Sequence, residues 1–326
     1  MHAPDGFLNA GTAVVTVALS AGTLGVAMRQ VKQTVTDRMI PLAGMGAAFV
    51  FAAQMFNFPV AAGTTGHLLG GALAAILLGP HLGAIVVTIV VVVQAFLFAD
   101  GGITAIGYNV LNMAVIPAYG GYAAFSLLRR VLPHNKGGMI GATGLAAWLS
   151  VLLSAAAFSI EWLFGATAPV PFSQVFAAMV GVHVLIGVGE AVISSLAVTA
   201  VLGSRPDLVH AALDSELGSA GEARVAIRTF VIGGLIATLF ITAIVSQFAS
   251  SDPDGLESVA GSEGFLDSGQ EHTLAHSLFA DYATTGVANV SMSLAIAGIA
   301  GTVTTLLVAW GIVLAVKGKP PHTGGP

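Results

Sequence analysis

Residues 290–316, VSMSLAIAGIAGTVTTLLVAWGIVLAV, run for 27 positions without a charge. At 1.5 Å per residue, a helix of that length reaches about 40 Å, more than the ~30 Å hydrocarbon core of a bilayer. Similar apolar runs lie near 8–28, 39–56, 64–79, 82–98, 103–128, 138–164, 173–203 and 229–249, which makes nine spans in all. The whole chain agrees: 56% of its 326 residues are hydrophobic, 8% are charged, and the mean hydropathy is +0.89. A soluble domain carries roughly 25% charge, so this chain lacks the polar surface to coat itself in water. Backbone groups in lipid must be satisfied within their own segment, and the ten-residue alternation of a barrel is absent. The expected fold class is therefore an all-α polytopic membrane protein.

The charges are segregated. All eleven basic residues fall on one side of the nine spans: Arg29, Lys32 and Arg38; Arg129, Arg130 and Lys136; Arg205, Arg224 and Arg228; Lys317 and Lys319. The positive-inside rule makes that side cytoplasmic, which puts Met1 outside and Pro326 inside. The opposite side carries acids, among them Asp5, Asp100, Asp252, Asp254, Glu257 and Asp281. The net charge of −5 therefore says little about partners, and nothing points to nucleic acid. Short loops join spans one to seven into one bundle, 1–203. A polar cytoplasmic linker follows, 204–228, and then a two-helix hairpin, 229–326, with an outer loop at 250–289. One short echo joins the two parts: Pro4-Asp5-Gly6-Phe7 and Pro253-Asp254-Gly255-Leu256. Pro-Asp-Gly is a common turn tripeptide, and the echo needs no more than that.

There is no cysteine, so neither disulfides nor a thiolate metal site can form. No secretory signal is evident, so Met1 is expected to remain the N-terminus. The bulky His2 disfavours its removal. Met1 and His2 then form a chelator by themselves. A free amine has an ordinary pKa near ~7.8 and gives up its proton to a metal at neutral pH. The amide nitrogen of His2 closes a five-membered ring with the amine, and Nδ1 of its imidazole closes a six-membered ring with the amide. Three nitrogens in one plane suit Ni(II) or Cu(II) better than tetrahedral Zn(II). One more imidazole completes a square. His67 lies on the same outer side and is the best candidate, the bland alternative being a helix-start histidine bonded to a carbonyl.

Other polar residues at membrane depth are few. Asp5, Thr64, Gln94, Asp100 and Asn109 are placed to orient ligating imidazoles, or else to bond between helices, as Asn112 also can. His183 and Glu190 share a face of span seven, where bundle glue or contact with a partner is preferred to a proton relay. Glu190 reads as the only clear mid-membrane carboxylate. His81 reads as structural, and His272 and His276, four apart in the outer loop, as solvated. There is no P-loop, so the chain does not hydrolyse ATP.

These residues resemble a known family. The opening Met1-His2-Ala3-Pro4-Asp5-Gly6-Phe7-Leu8 is similar to that of CbiM/NikM proteins, the metal-binding S components of energy-coupling-factor cobalt and nickel importers. The likeness continues through Gly63-Thr64-Thr65-Gly66-His67-Leu68-Leu69-Gly70, through residues 94–104 from Gln94 to Thr104, and from His183 to Glu190. Pro253-Asp254-Gly255-Leu256-Glu257 with Asp281-Tyr282 resembles the PDGLE domain of NikN-type small components. The resemblance implies a seven-helix S-component bundle fused to a two-helix hairpin with an extracytoplasmic loop. It implies metal ligands at Met1, His2 and His67, and Ni²⁺ or Co²⁺ as transported ion with no resident cofactor. It also implies a prokaryotic cytoplasmic membrane, a transmembrane coupling subunit and two cytoplasmic ABC-type ATPases as partners, and no enzyme activity in the chain itself. The competing readings are a stand-alone secondary transition-metal permease using His183 and Glu190, and a membrane metalloenzyme. Four nitrogens filling a plane leave the latter no place for a catalytic water.

Overall fold

The computed structural model describes residues 1–61, 63–213 and 225–317. The middle of the 204–228 linker, with Arg224, and the tail carrying Lys319 lie outside the described residues. In chain order the elements are α1 (Ala10–Thr34), α2 (Met39–Gln54), β1 (Phe58–Ala61), β2 (Thr64–Gly66), α3 (Gly71–Leu78) and α4 (Pro80–Leu97). They continue with α5 (Ile106–Val131), α6 (Lys136–Gly165), α7 (Phe172–Ser204), α8 (Ile227–Phe248), α9 (Gly255–Glu263) and α10 (Val290–Val316). Seven of these helices are long and apolar enough to cross a membrane: α1, α4, α5, α6, α7, α8 and α10. The protein is thus a mostly helical, multi-pass membrane protein. Large apolar side chains on the rim, such as Val14, Leu196 and Ile236, stay exposed, as a lipid-facing surface requires.

Helix starts follow the sequence. Asn9, Asn135 and Asn289 accept hydrogen bonds from Thr12, Gly138 and Met292 N–H at 2.8–2.9 Å, which opens α1, α6 and α10. In α5 the α-helix widens into a π turn at Leu111–Val115, beside the buried Asn112.

The expected span 64–79 is different from its sequence reading. Only Gly71–Leu78 is helical, while Thr64–Gly66 is a strand paired antiparallel with β1. Two physical reasons stand out. Gly66 packs so closely on α7 that an added Cβ would lie 2.7 Å from Ile186, and Gly70 has a φ of +79°, which a side chain resists. Irregular backbone at this depth must be buried in protein. Here Glu190 accepts from Leu69 N–H (2.6 Å) and Gly70 N–H (2.9 Å), and Gln54 Nε2 donates to Leu69 O (2.9 Å). Glu190 is a brace, then. It is also not the only buried carboxylate in the bundle, because Glu161 of α6 is buried too and accepts from Asn112 Nδ2 at 2.6 Å.

The α8/α10 hairpin seats on α2 through small residues. A Cβ on Gly44 would lie 2.9 Å from Leu306 O, and one on Gly301 would lie 2.0 Å from the Phe51 ring. Thr242 and Thr302 hydroxyls bond across α8 and α10 at 2.9 Å. Close backbone approach of this kind is the main source of helix association in lipid, where apolar burial offers little. Gly301→Leu is expected to overpack this seam and to cost roughly 1–3 kcal/mol. It should lower the thermal midpoint of the purified protein, followed by tryptophan fluorescence, whereas Gly311→Leu, with open space around it, should not.

Candidate metal centre

The N-terminal nine residues are folded into the bundle. Met1 is 5% exposed and Ala3 1%. Ala3 is gripped twice by Asn109: its N–H donates to Oδ1 and its carbonyl accepts from Nδ2, both at 2.9 Å. The Asp5 carboxylate accepts from Ile103, Thr104 and Ala105 N–H and from the Thr104 hydroxyl, at 2.6–3.1 Å. Gly6 turns with φ +93° under the outer loop, and Asn9 N–H donates to Gly165 O at 2.7 Å. Among these residues the His2 amide alone, of the first three nitrogens, has no hydrogen-bond partner among the described residues.

The Met1 amine lies 2.6 Å from His67 Nε2 and 2.5 Å from Asp254 Oδ2. His67 Nδ1 is 3.0 Å from Leu68 O, which can only accept, so Nδ1 carries the proton and Nε2 the lone pair. The His2 and His67 rings face each other, with centroids 5.3 Å apart and planes at 24°. Burial alone would raise the Asp254 carboxyl, but the Met1 ammonium and the His67 ring hold it well below the usual carboxylate range.

A second chain of bonds fixes the other imidazole. The Tyr282 hydroxyl donates to Asp100 Oδ2 (2.6 Å) and accepts from Gln94 Nε2 (3.1 Å). Burial, then the charge of Asp100, holds that phenol well above its ordinary value, so it stays a donor. With its amide so oriented, Gln94 presents Oε1 to His2 Nε2 at 3.0 Å, and the ring must donate there. Burial, opposed by the charge of Asp100 and aided by the Met1 ammonium, pushes the His2 imidazole down to about 4, so it is neutral at pH 7. Its Nδ1 then carries a lone pair that looks at Asp100 Oδ1 from 3.2 Å. Two acceptors face each other across a gap that a proton or a cation can fill.

A cleft of about 910 Å³ opens from this point. His2, His67, Asp100, Asp252, Asp254, Glu257 and Asp281 line it, together with Gln54, and no lysine or arginine does. Gln54 Oε1 is buried without a hydrogen-bond partner in the described residues. Ala99, Asp281 and Tyr282 all have positive φ (51–57°), strain that concentrates where the outer loop meets the site.

The remaining sequence candidates divide. Thr64 faces away and bonds Ser258 at 2.7 Å, tying β2 to α9. His81 bonds the Tyr119 hydroxyl at 2.8 Å. His272 and His276 are not on a helix. His276 is exposed, while His272 is tucked against Gly101 O at 3.2 Å, so the expectation that both are solvated fails for His272. No group of three or more His, Asp or Glu side chains gathers to hold a metal among the described residues. What gathers here is an amine, an unpaired amide and two rings, only two of which are side chains. Sequence reasoning missed Asp254, Tyr282 and Gln54. The Pro-Asp-Gly echo and the PDGLE resemblance both mark Asp254, but neither pairs it with Met1.

Fold and site together define a multi-pass membrane protein with an amine and two imidazoles buried together at one end of its bundle. The chain belongs to the family described as the cobalt uptake substrate-specific transmembrane region (CbiM), whose profile matches residues 2–208, and the PDGLE domain profile matches residues 228–318. It is 32% identical over 313 residues to the "Putative fused nickel transport protein NikMN" of Archaeoglobus fulgidus, covering 96% of this chain and 98% of that one. The "Fused nickel transport protein NikMN" of Rhodobacter capsulatus is 35% identical over 221 residues, 64% of each chain. A solved structure described as a truncated transition metal transporter superposes with a TM-score of 0.56 at 32% identity, covering 62% of this chain and 99% of that one. The protein is a membrane component of nickel/cobalt transport of the CbiM/NikM type.

The His2 assignment has a measurable consequence. Below the ordinary imidazole value of 6.5 the unfolded chain takes up a proton that the folded site refuses until about pH 4. The unfolded state binds more protons across that window, so stability falls as pH drops from 6.5 to 4. Metal-free native protein should lose thermal midpoint over this window, and His2→Gln should show a flatter profile. Equal slopes would place the His2 titration elsewhere.

Proposed function

We propose that this chain is the substrate-binding membrane subunit of an ATP-driven energy-coupling-factor importer for Ni²⁺, with Co²⁺ as the second candidate ion. Met1 N, the His2 amide and Nδ1, and His67 Nε2 hold the ion in a plane at the extracytoplasmic face. The observation that carries this reading is the buried meeting of the Met1 amine with a His67 Nε2 whose lone pair is set by Leu68 O. Neutral imidazoles with the second nitrogen hydrogen-bonded are the usual metal-ligand form. Planar ligation with a deprotonated amide favours low-spin Ni(II), and Cu(II) would bind more tightly still, so availability must share in selectivity. The acidic cleft draws cations towards the site and repels anions.

Asn109 and Asp5 hold the N-terminal segment in place, and Gln94 and Asp100 select and face the His2 donor nitrogen. Met1 lies outside in a prokaryotic cytoplasmic membrane, and the C-terminus lies in the cytoplasm. A transmembrane coupling subunit and two cytoplasmic ABC-type ATPases supply the energy. The alternative of a stand-alone permease relies on His183 and Glu190 as a relay, and Glu190 is already committed to two backbone N–H groups.

Adding a single residue before Met1 should abolish tight Ni²⁺ binding, because the amine leaves the plane and the ring order changes. Isothermal titration of the native chain against an uncleaved extended form tests this, and equal affinities would sink the assigned site. His67→Ala should weaken binding by about a hundredfold, taking one of four ligands from a total on the order of 10–16 kcal/mol, while His276→Ala should leave it unchanged. Uptake of radioactive nickel should stop when the partner ATPases are deleted. Uptake that survives their loss but collapses with a protonophore would identify a secondary permease.

A further inference from the structure

His183 of α7 takes no part in the nitrogen set, yet it is only 2% exposed. Its Nδ1 lies 2.7 Å from Met179 O, an acceptor only, so Nδ1 carries the proton and Nε2 the lone pair. Nε2 makes no hydrogen bond to any described residue. The edge of the ring is pressed against the second part of the chain, since a Cβ on Gly255 would lie 3.1 Å from His183 Cε1. The residue opens on a cavity of about 10 Å³ that it shares with Met1 and His67, closed by Leu69, Ile186 and Gly255. That is room for a single water-sized group. One small space therefore joins two of the nitrogen donors to a third imidazole further along α7.

A histidine serving only to fill space would be replaced at no loss by an apolar ring, whereas this one carries a ring nitrogen free for a further partner beside the cavity it shares with Met1 and His67. Its tautomer is set by a carbonyl, as in His67. The His67 segment itself cannot swing towards it, because Glu190 holds Leu69 and Gly70 by their N–H groups. The ion, not the loop, must move.

We propose that His183 Nε2 is an inner ligand position for the divalent ion, which reaches it from His67 as it leaves the amine–amide plane for the interior of the bundle. This rests on the function proposed above. Cells carrying the full chain with its partners are assayed for radioactive nickel uptake, and the purified chain is titrated with Ni²⁺, for native, His183→Asn and His183→Cys. Both variants should bind Ni²⁺ within about threefold of native with the same yellow planar spectrum, which also reports that they fold. Uptake should fall by about tenfold or more in His183→Asn, in the range seen for lost metal-site groups. It should recover in His183→Cys, whose sulfur is a ligand where the Asn amide is a poor one. Normal uptake by His183→Asn, or no recovery with Cys, would overturn the inner position. So would a loss of affinity above about tenfold in His183→Asn, which would place the ring at the resting site instead. A native chain that binds no Ni²⁺ in a planar set would fail the underlying function, a result distinct from all of these.

Discussion

The burial of one amine organises the outer half of this molecule. An isolated ammonium away from water is expensive unless it is paired. Met1 finds that pairing in Asp254 Oδ2 and His67 Nε2, at 2.5 and 2.6 Å. To bring it there, the first nine residues run through the outer end of the bundle as irregular chain with a turn at Gly6. Asn109 supplies the ladder bonds a neighbouring strand would give. Asp5 gathers four donors at the start of α5, and α6 ends on Leu8 and Asn9. The Met1 amine and the His2 amide are thus backbone groups on a segment held in place by the side chains of Asn109 and Asp5.

The second half of the chain completes what the first half starts. Asp254 caps α9 through Oδ1, accepting from Leu256 and Glu257 N–H at 2.8 and 2.9 Å, and offers Oδ2 to Met1. Tyr282 orients Gln94, and through it the donor nitrogen of His2. The outer loop is anchored at both ends of this path: Gln270 N–H donates to Asp5 O, Asp281 N–H to Phe98 O and Thr65 N–H to Pro253 O, at 2.7–2.9 Å. Phe265 packs edge-on against Phe7, 5.2 Å between ring centres, and against Trp162. A loop held so closely over the cleft makes the fusion of the two parts in one chain physically reasonable. Its carboxylates line the cleft that opens from His2 and His67.

Depth in the bilayer constrains the rest. His67 must sit on backbone that is not helical, since its carbonyl bond to Leu68 and its reach to Met1 both need an extended chain. Glu190 and Gln54 absorb the cost by satisfying Leu69 and Gly70. A carboxylate in the middle of a membrane helix is commonly read as transport machinery. Here it replaces missing helix hydrogen bonds, whereas Asn112, within the π turn, and Glu161 bond each other side chain to side chain and leave Oδ1 and Oε1 without a partner among the described residues.

The sequence by itself determined the class of fold, the long spans and the chelating potential of Met1-His2, because these depend on local composition and covalent geometry. Uncharged runs of twenty or more residues have one stable form in lipid, and three nitrogens in a row close the same rings in any context. It also drew attention to His67, Gln94, Asp100 and Asn109 as polar residues on the outer side. Only the tertiary structure decided that 64–70 is strand and coil, that Glu190 is a brace, and that His272 folds against Gly101. It alone brought Asp254 and Tyr282, some 190 to 250 positions distant in the chain, onto the Met1 amine and Gln94. Those outcomes depend on which buried donor meets which acceptor across helices, and no local pattern encodes a partner that arrives from another element.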